Sequence, residues 1–533
     1  MPQDTESLFG NCTARRPVND PRHDRMFRGL RFRHPATLAL RPLAKKSNVY
    51  GIPVIHVSWL GVSPHASHSV RMPGRRGVGM GEVEWERARL FPVSGIGGAD
   101  EQERRAASAL LAVVQSVREF GRAITAPMGA PAGRLSAYIE VPFSDGDKKL
   151  RPDGLLQVVS SQRTWTALVE VKTGRHELIP GQIEAYLDVA RKHRFDALLT
   201  ISNQVVATPG VHPVPLPRAK AQSARLYHLS WSQIRTEALM EQSNKSVSDP
   251  DQAWILAEFI RYLEHPRSGA LDFDDMGASW VHVRDHARTG TLHPNDKGAA
   301  EVAYRFGGLI SFAAMRLSRE LGTSVRPMVA QAQLRDPARF LQEAVSALTE
   351  TGRLQGALRV PAAVAPVKVT ADLRAGLIHC AVTVPAPREG RPTTRVNWLV
   401  RQLKTAPAHL CIEASTAWQR GRGPARTISQ VRSDPKSLLD ETGNEPRSFT
   451  LSLSSNAGPA RGQGHSSFVN SVLTAVENFY TDVVQHIKPW NPAPPKVRDG
   501  EPPLTDEPVP GEAASQGPED TQPVIDSVQV TPA

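Results

Sequence analysis

Cysteine is nearly missing from this chain. Cys12, Cys380 and Cys411 are the whole complement in 533 residues, too few and too scattered for a disulfide framework or a four-ligand zinc site. A reducing, cytoplasmic setting is therefore expected, with His379, Cys380 and Cys411 packed in a core. Long apolar runs are also missing. Nothing approaches the roughly 18 apolar residues of a membrane span, so no membrane partner is expected. The phosphate-binding pattern Gly-x4-Gly-Lys-Ser/Thr does not occur, which excludes a fused P-loop motor.

What is present is the composition of a folded globular chain, 40% hydrophobic and 22% charged. The formal net charge of +11 is unevenly placed. Residues 1–80 hold 13 Lys/Arg against 4 Asp/Glu, residues 489–533 hold 2 against 8, and the middle keeps an excess of 8 positive charges. That excess permits phosphate binding without demanding it.

Residues 1–80 are rich in Arg and Pro and follow neither the helical nor the alternating period. They lack the apolar run of a secretory signal, and their prolines break any amphipathic targeting helix. The expectation is a disordered or spurious N-terminal extension, with Met80 as an alternative start that mass spectrometry of the N-terminal peptide would decide. Residues 489–533, Pro-rich and acidic, read as a disordered tail.

Between the tails, 99-ADEQERRAASALLAVVQSVREFGRAI-124 places Ala106, Leu110, Val113, Val114 and Val117 at helical spacing, with acids in the first turn. LSAYIEVPF (135–143), GLLQVVS (154–160) and WTALVEV (165–171) read as strands. PGQIEAYLDVARKHR (180–194) begins with a helix-start Pro and puts Ile183, Leu187 and Ala190 on one face. FDALLTIS (195–202) is a fourth strand, and LYHLSWSQIRTEAL a strand feeding a helix.

A hairpin turning at Ser161–Gln162 pairs residues whose numbers sum to 323, so Asp153 faces Glu170 with Cβ atoms about 4.5–5.5 Å apart. Like charges so close repel unless neutralised, and a divalent cation held by hard oxygen ligands would neutralise them. Lys172, two residues on and about 6.6 Å along the strand, is placed to orient an attacking water or to stabilise charge on a phosphate oxygen.

Pro152-Asp153 followed by Glu170-Val171-Lys172, on an α-β-β-β-α-β unit over residues 100–205, resembles the PD-(D/E)xK nuclease superfamily. Gln182 and Tyr186, a Gln-x-x-x-Tyr pair, resemble its RecB-like branch. The resemblance implies a restriction-endonuclease-like α/β core and Mg2+ or Mn2+ held by Asp153 and Glu170. It implies catalytic assistance by Lys172, support for the site and the DNA from Gln182 and Tyr186, and a further metal ligand from the first helix, Glu101 or Glu103. Nucleic acid, DNA ahead of RNA, is the implied partner, with Arg191, Lys192 and Arg194 as candidate contacts.

Plain alternatives stand beside each assignment. Val169 to Lys172 also fits a half-buried strand with a solvated charged face, and Gln182 and Tyr186 fit the exposed side of a helix. Glu101 and Glu103 suit a first helical turn, and Arg191, Lys192 and Arg194 a last one, without any catalysis. Glu140 reads as a surface residue.

The domain plan is a nuclease-like domain over 81–240, a helical connector over 241–324 with helices at 251–265 and 298–321, and an α+β accessory domain over 325–488 available to a protein partner. Arg395, Asn397, Trp398 and Arg401 form either a recognition face or, more simply, a solvated helix side with Trp398 in the core. The function expected is a metal-dependent nuclease; the alternative is a catalytically silent nuclease fold acting as a binding or scaffold module in a stress or defence assembly.

Overall fold

Two large sheets organise the described residues, the first with a hydrophobic cluster on each face and the second with one cluster of its own. The computed structural model describes residues 98–492 apart from short stretches at 146–147, 209, 217–224, 244–246, 417–422, 440–444, 463 and 465, together with the backbone of strand β1 (Glu86–Arg87). The expected N-terminal extension at 1–80, and the acidic tail from 493 onward, lie outside the described residues.

The first helix is broken where one continuous helix was expected. α1 (Ala99–Ser116) ends at Val117, which is extended at φ −102 and ψ 102, and α2 (Arg118–Thr125) follows. Val117 is fully buried, and a Cβ added at Gly121 would lie 2.2 Å from the Val114 carbonyl oxygen. The two helices therefore pack backbone to backbone across a break that requires glycine at 121.

β2 (Arg134–Ile139) also stops before its expected end. Glu140 adopts a left-handed φ of 49, and Phe143 is taken into a separate hairpin of β3 (Phe143–Asp145) and β4 (Lys148–Leu150). β5 (Gly154–Val159) and β6 (Thr164–Val171) pair antiparallel from Gly154 opposite Val169 to Val159 opposite Thr164, the register read from the sequence. Ser160 fixes the reversal: its N–H donates to the Arg163 carbonyl at 3.0 Å, and its Oγ accepts the Arg163 N–H at 3.1 Å. α3 (Pro180–His193) then crosses over to β7 (Ala197–Ser202), parallel to β6. β8 (Arg225–Ser230) adds a further parallel strand before α4 (Trp231–Ser243). The sheet order is β1-β2-β5-β6-β7-β8.

Both faces of this sheet are covered, which explains the nearly continuous apolar runs of its central strands. Val169, Val171, Leu199 and Ile201 pack toward α1, joined by Phe259 of α5 (Pro250–Glu264). Leu155, Leu168 and Leu198 pack toward Ile183, Tyr186 and Leu187 of α3.

The second core draws on residues from Met276 to Ile487 together with Val205. α6 (Trp280–Thr289) and α7 (Lys297–Leu321) pack with a seven-stranded antiparallel sheet. Its strands are β9 (Arg326–Pro327), β10 (Arg353–Arg359), β11 (Val367–Asp372), β12 (Leu377–Pro385), β13 (Cys411–Thr416), β14 (Ala425–Thr427) and β15 (Pro446–Asn456), ordered β14-β13-β15-β12-β11-β10-β9. Also present are α8 (Gln331–Arg335), α9 (Pro337–Thr351), α10 (Pro392–Gln402), α11 (Ile428–Ser433) and α12 (Phe468–Asp482). The stretch expected as a connector is divided: residues through Leu263 belong to the first core, and those from Met276 to the second. The cores are joined by Arg319, whose Nε donates to Thr236 Oγ1 at 2.8 Å and whose guanidinium also donates to the Ser232 carbonyl at 3.1 Å. His379 and Cys380 are buried, Cys411 partly so. Arg395 is buried against Glu445 at 2.6 Å and three backbone carbonyls, and Trp398 packs against the second core. Among the described residues no helix is long and apolar enough to cross a membrane.

Candidate active site

Three elements deliver four charged side chains to one end of the first sheet: Glu103 from α1, Asp153 immediately before β5, and Glu170 and Lys172 at the end of β6. Asp153 extends the hairpin register by one residue, and its carbonyl accepts the Glu140 N–H at 3.0 Å. Its carboxylate Oδ2 accepts the Val171 N–H at 2.7 Å, which turns it toward Glu170.

Lys172 does not project along the strand as expected. It folds back so that Nζ donates to Glu170 Oε1 at 2.7 Å and to Glu103 Oε1 at 2.8 Å. One ammonium therefore offsets part of the charge of Glu170 and Glu103, while Asp153, the other half of the facing pair, is held by the Val171 N–H. Glu170 is 1% exposed. Its Oε2 and Glu103 Oε2 are buried without a hydrogen-bond donor among the described residues, although His176 Nδ1 stands 3.5 Å from the latter.

Burial sets the electrostatics. It pushes the Asp153 carboxyl well above the ordinary carboxylate range, and the neighbouring Glu170 raises it further. Burial also raises Glu170, against the opposing pull of Lys172. For Lys172, burial alone would lower the value, but Glu170 and Glu103 outweigh it and hold the ammonium firmly protonated.

The first-helix alternatives separate. Glu103 reaches the site, whereas Glu101 turns to Arg105 one helical turn away. Gln182 and Tyr186 lie together on the inner side of α3. Gln182 Nε2 donates to the Tyr186 hydroxyl at 3.1 Å, and the hydroxyl donates to the Arg151 carbonyl at 3.2 Å, two residues from Asp153. Tyr186 is buried, so it is not on an exposed helix face. Glu140 pairs with Arg104 at 2.9 Å and with Arg151. Arg191, Lys192 and Arg194 are not brought to the carboxylates. They sit at the far end of α3, where Arg191 pairs with Asp188 at 3.2 Å, Lys192 reaches the Ser144 carbonyl at 3.4 Å and Arg194 takes the left-handed capping position.

The residues fit a divalent cation in their chemistry: hard carboxylate oxygens, two of them buried without donors, of the kind magnesium takes together with substrate phosphates. Among the described residues, however, no three His, Cys, Asp or Glu side chains converge as a ready ligand set. Nζ of Lys172 lies where Glu103 and Glu170 would otherwise close on an ion.

Several supporting residues escaped the sequence reading. Trp231 Nε1 donates to the Lys172 carbonyl at 2.9 Å, while the Lys172 N–H donates to the Ile201 carbonyl at 2.7 Å, so the lysine backbone is clamped on both sides. Asn203 Nδ2 ties the Gly174 and Gly269 carbonyls at 2.8 Å each, bracing the loop after β6. In register with Glu170 across the sheet stand Thr200 and His228, and Thr200 Oγ1 bridges His212 Nε2 at 2.8 Å and His228 Nδ1 at 3.0 Å. Trp231 is 59 positions from Lys172, and no local spacing announces such a contact. No family model, curated protein or solved structure matches the chain.

Proposed function

We propose that the chain is a metal-dependent nuclease that hydrolyses phosphodiester bonds, DNA ahead of RNA, in a restriction-endonuclease-like core and a cytoplasmic setting. The observation that carries this reading is the meeting of half-buried Asp153, Glu103 and Lys172 with buried Glu170 at one sheet end, with donorless oxygens on two of the acids. Asp153 and Glu170 would hold Mg2+ or Mn2+, with Glu103 the first-helix candidate. The bound cation would supply Lewis-acid polarisation of the phosphate and a lowered pKa for water.

The protein's own groups do the rest. A lysine held protonated does not serve as a base; its ammonium stabilises charge growing on a phosphate oxygen. Val171 N–H fixes the rotamer of Asp153. Gln182 and Tyr186 brace the Arg151 backbone that leads into Asp153. Chemistry directed at the phosphate backbone needs no base readout, so cutting with little sequence preference is part of this reading. The second sheet serves as an accessory domain for targeting or for a protein partner.

One observation favours the second reading, a silent scaffold: Lys172 already pairs with both Glu103 and Glu170 without a metal. Incubation of plasmid, single-stranded DNA and RNA with wild type, Asp153→Ala and Lys172→Ala, with and without Mg2+ or Mn2+, separates them. Metal-dependent cutting by wild type alone supports the nuclease; identical behaviour of all three proteins removes it.

A further inference from the structure

At the sheet end opposite the carboxylates, a cleft of about 460 Å3 opens between the α1–α2 break and the first half of β2. Arg118, Arg122 and Arg134 line it, together with Gln115, Leu135 and Val158. All three arginines are exposed. Their guanidinium groups make no hydrogen bond or ion pair among the described residues, and no Asp or Glu is part of the described lining. Other exposed arginines are mixed: those at 104, 151, 191 and 261 pair with carboxylates, Arg175, Arg288 and Arg335 make no ion pair among the described residues, and the cleft is set apart by gathering three such arginines around one opening. Gln115 Oε1 accepts the Ala137 N–H at 2.8 Å, which leaves its amide N–H groups as further donors at the rim.

We infer that this cleft binds the sugar-phosphate backbone of a nucleic-acid strand. Arg118 and Arg122 stand one helical turn apart, with Cβ atoms about 5–6 Å from each other, so they present a row of cations rather than one point. Arg134 faces them from the strand edge. The described lining holds no aromatic ring, so a base has no stacking platform there; the recognised feature is repeated phosphate, not a nucleobase. A guanidinium fork engages carboxylate and phosphate alike through two oxygens, so an acidic peptide is the rival occupant that polyglutamate competition separates from a phosphate strand. β2 spans about 17 Å between Arg134 and the carboxylate end, which is about five nucleotides at ~3.4 Å each. A strand held in the cleft can therefore reach the site proposed to cut it. The choice of nucleic acid rests on the nuclease reading; the binding itself does not need hydrolysis.

The test is fluorescence anisotropy of a labelled 20-nucleotide single-stranded DNA in EDTA, where no cutting occurs. Wild type is compared with Arg118→Gln/Arg122→Gln/Arg134→Gln and with a control of equal charge loss at exposed arginines of the second domain outside the α10 face, Arg359→Gln/Arg388→Gln/Arg391→Gln. The cleft variant is expected to bind at least tenfold more weakly and to lose about 2 from its log K against log salt slope, at roughly 0.7 per phosphate contact, while the control changes little. Equal weakening by both triples, or no binding by wild type, overturns the inference, as does competition by polyglutamate or a mononucleotide as effective as that by the oligonucleotide. Binding without any metal-dependent cutting removes the nuclease reading and leaves the cleft assignment intact.

Discussion

Asp153 and Glu170 occupy facing positions across one hairpin, and the N–H beside Glu170, that of Val171, holds the Asp153 carboxylate at 2.7 Å. Two buried acids so arranged favour protonation. Both carboxyls are raised in the folded state, so their contribution to stability is fully present below their unfolded values, near 4, and is lost as pH rises through the raised folded values. Asp153→Asn keeps an oxygen for the Val171 N–H and adds a donor for the orphan Glu170 Oε2. In EDTA it is expected to be more stable than wild type at neutral pH, on the order of 1 kcal/mol, with a flatter rise on acidification. Thermal melts from pH 5 to 8 check this; a less stable variant at neutral pH contradicts it.

Lys172→Ala strands two acids. Its ammonium is the shared partner of Glu103 and Glu170, and its side chain is 11% exposed. Removing one partner of a buried pair costs about 3 kcal/mol, so a clear loss of stability is expected by denaturant unfolding at neutral pH, together with loss of activity. The loss should shrink toward pH 4 as the acids take up protons.

Glu103 and Glu101 are expected to differ sharply. Glu103→Gln removes a charge from the buried cluster and should lower activity by about 100-fold, the upper end of the effect of losing a supporting ligand. Glu101→Ala breaks a pair to the half-buried Arg105 outside the carboxylate cluster and should change stability by no more than about 1 kcal/mol while leaving cleavage near the wild-type rate. Parallel cleavage rates and melts decide; similar effects from both would return the ligand question to where the sequence left it.

Trp231→Phe removes the donor at 2.9 Å from the Lys172 carbonyl while keeping the buried ring. About 1 kcal/mol of stability and a several-fold fall in kcat with KM unchanged are expected. A change confined to KM would argue against a positioning role.

The hairpin register was legible in the sequence because two short strands closed by a tight reversal at Ser161–Gln162 allow few pairings; with both faces buried, the side-chain pattern alone does not reject a slip of one residue. The helix and strand order of the first core was legible from its period. What was not legible was geometry set by distant or local exceptions. The break at Val117 depends on Gly121 meeting the Val114 carbonyl, and the early end of β2 depends on a left-handed Glu140. The return of Lys172 onto Glu170 is a rotamer choice that the strand period does not encode. The division of residues 241–324 between two cores reflects which sheet each helix meets, a tertiary fact absent from any single helix pattern.

A manganese-soaked crystal, measured by anomalous scattering at the manganese edge, tests the central claim most directly. The account predicts one peak at about 2.1 Å from carboxylate oxygens of both Asp153 and Glu170, with Lys172 Nζ displaced from its seat between Glu103 and Glu170. Density that leaves Nζ bridging those two acids, with no peak beside Asp153, would contradict it.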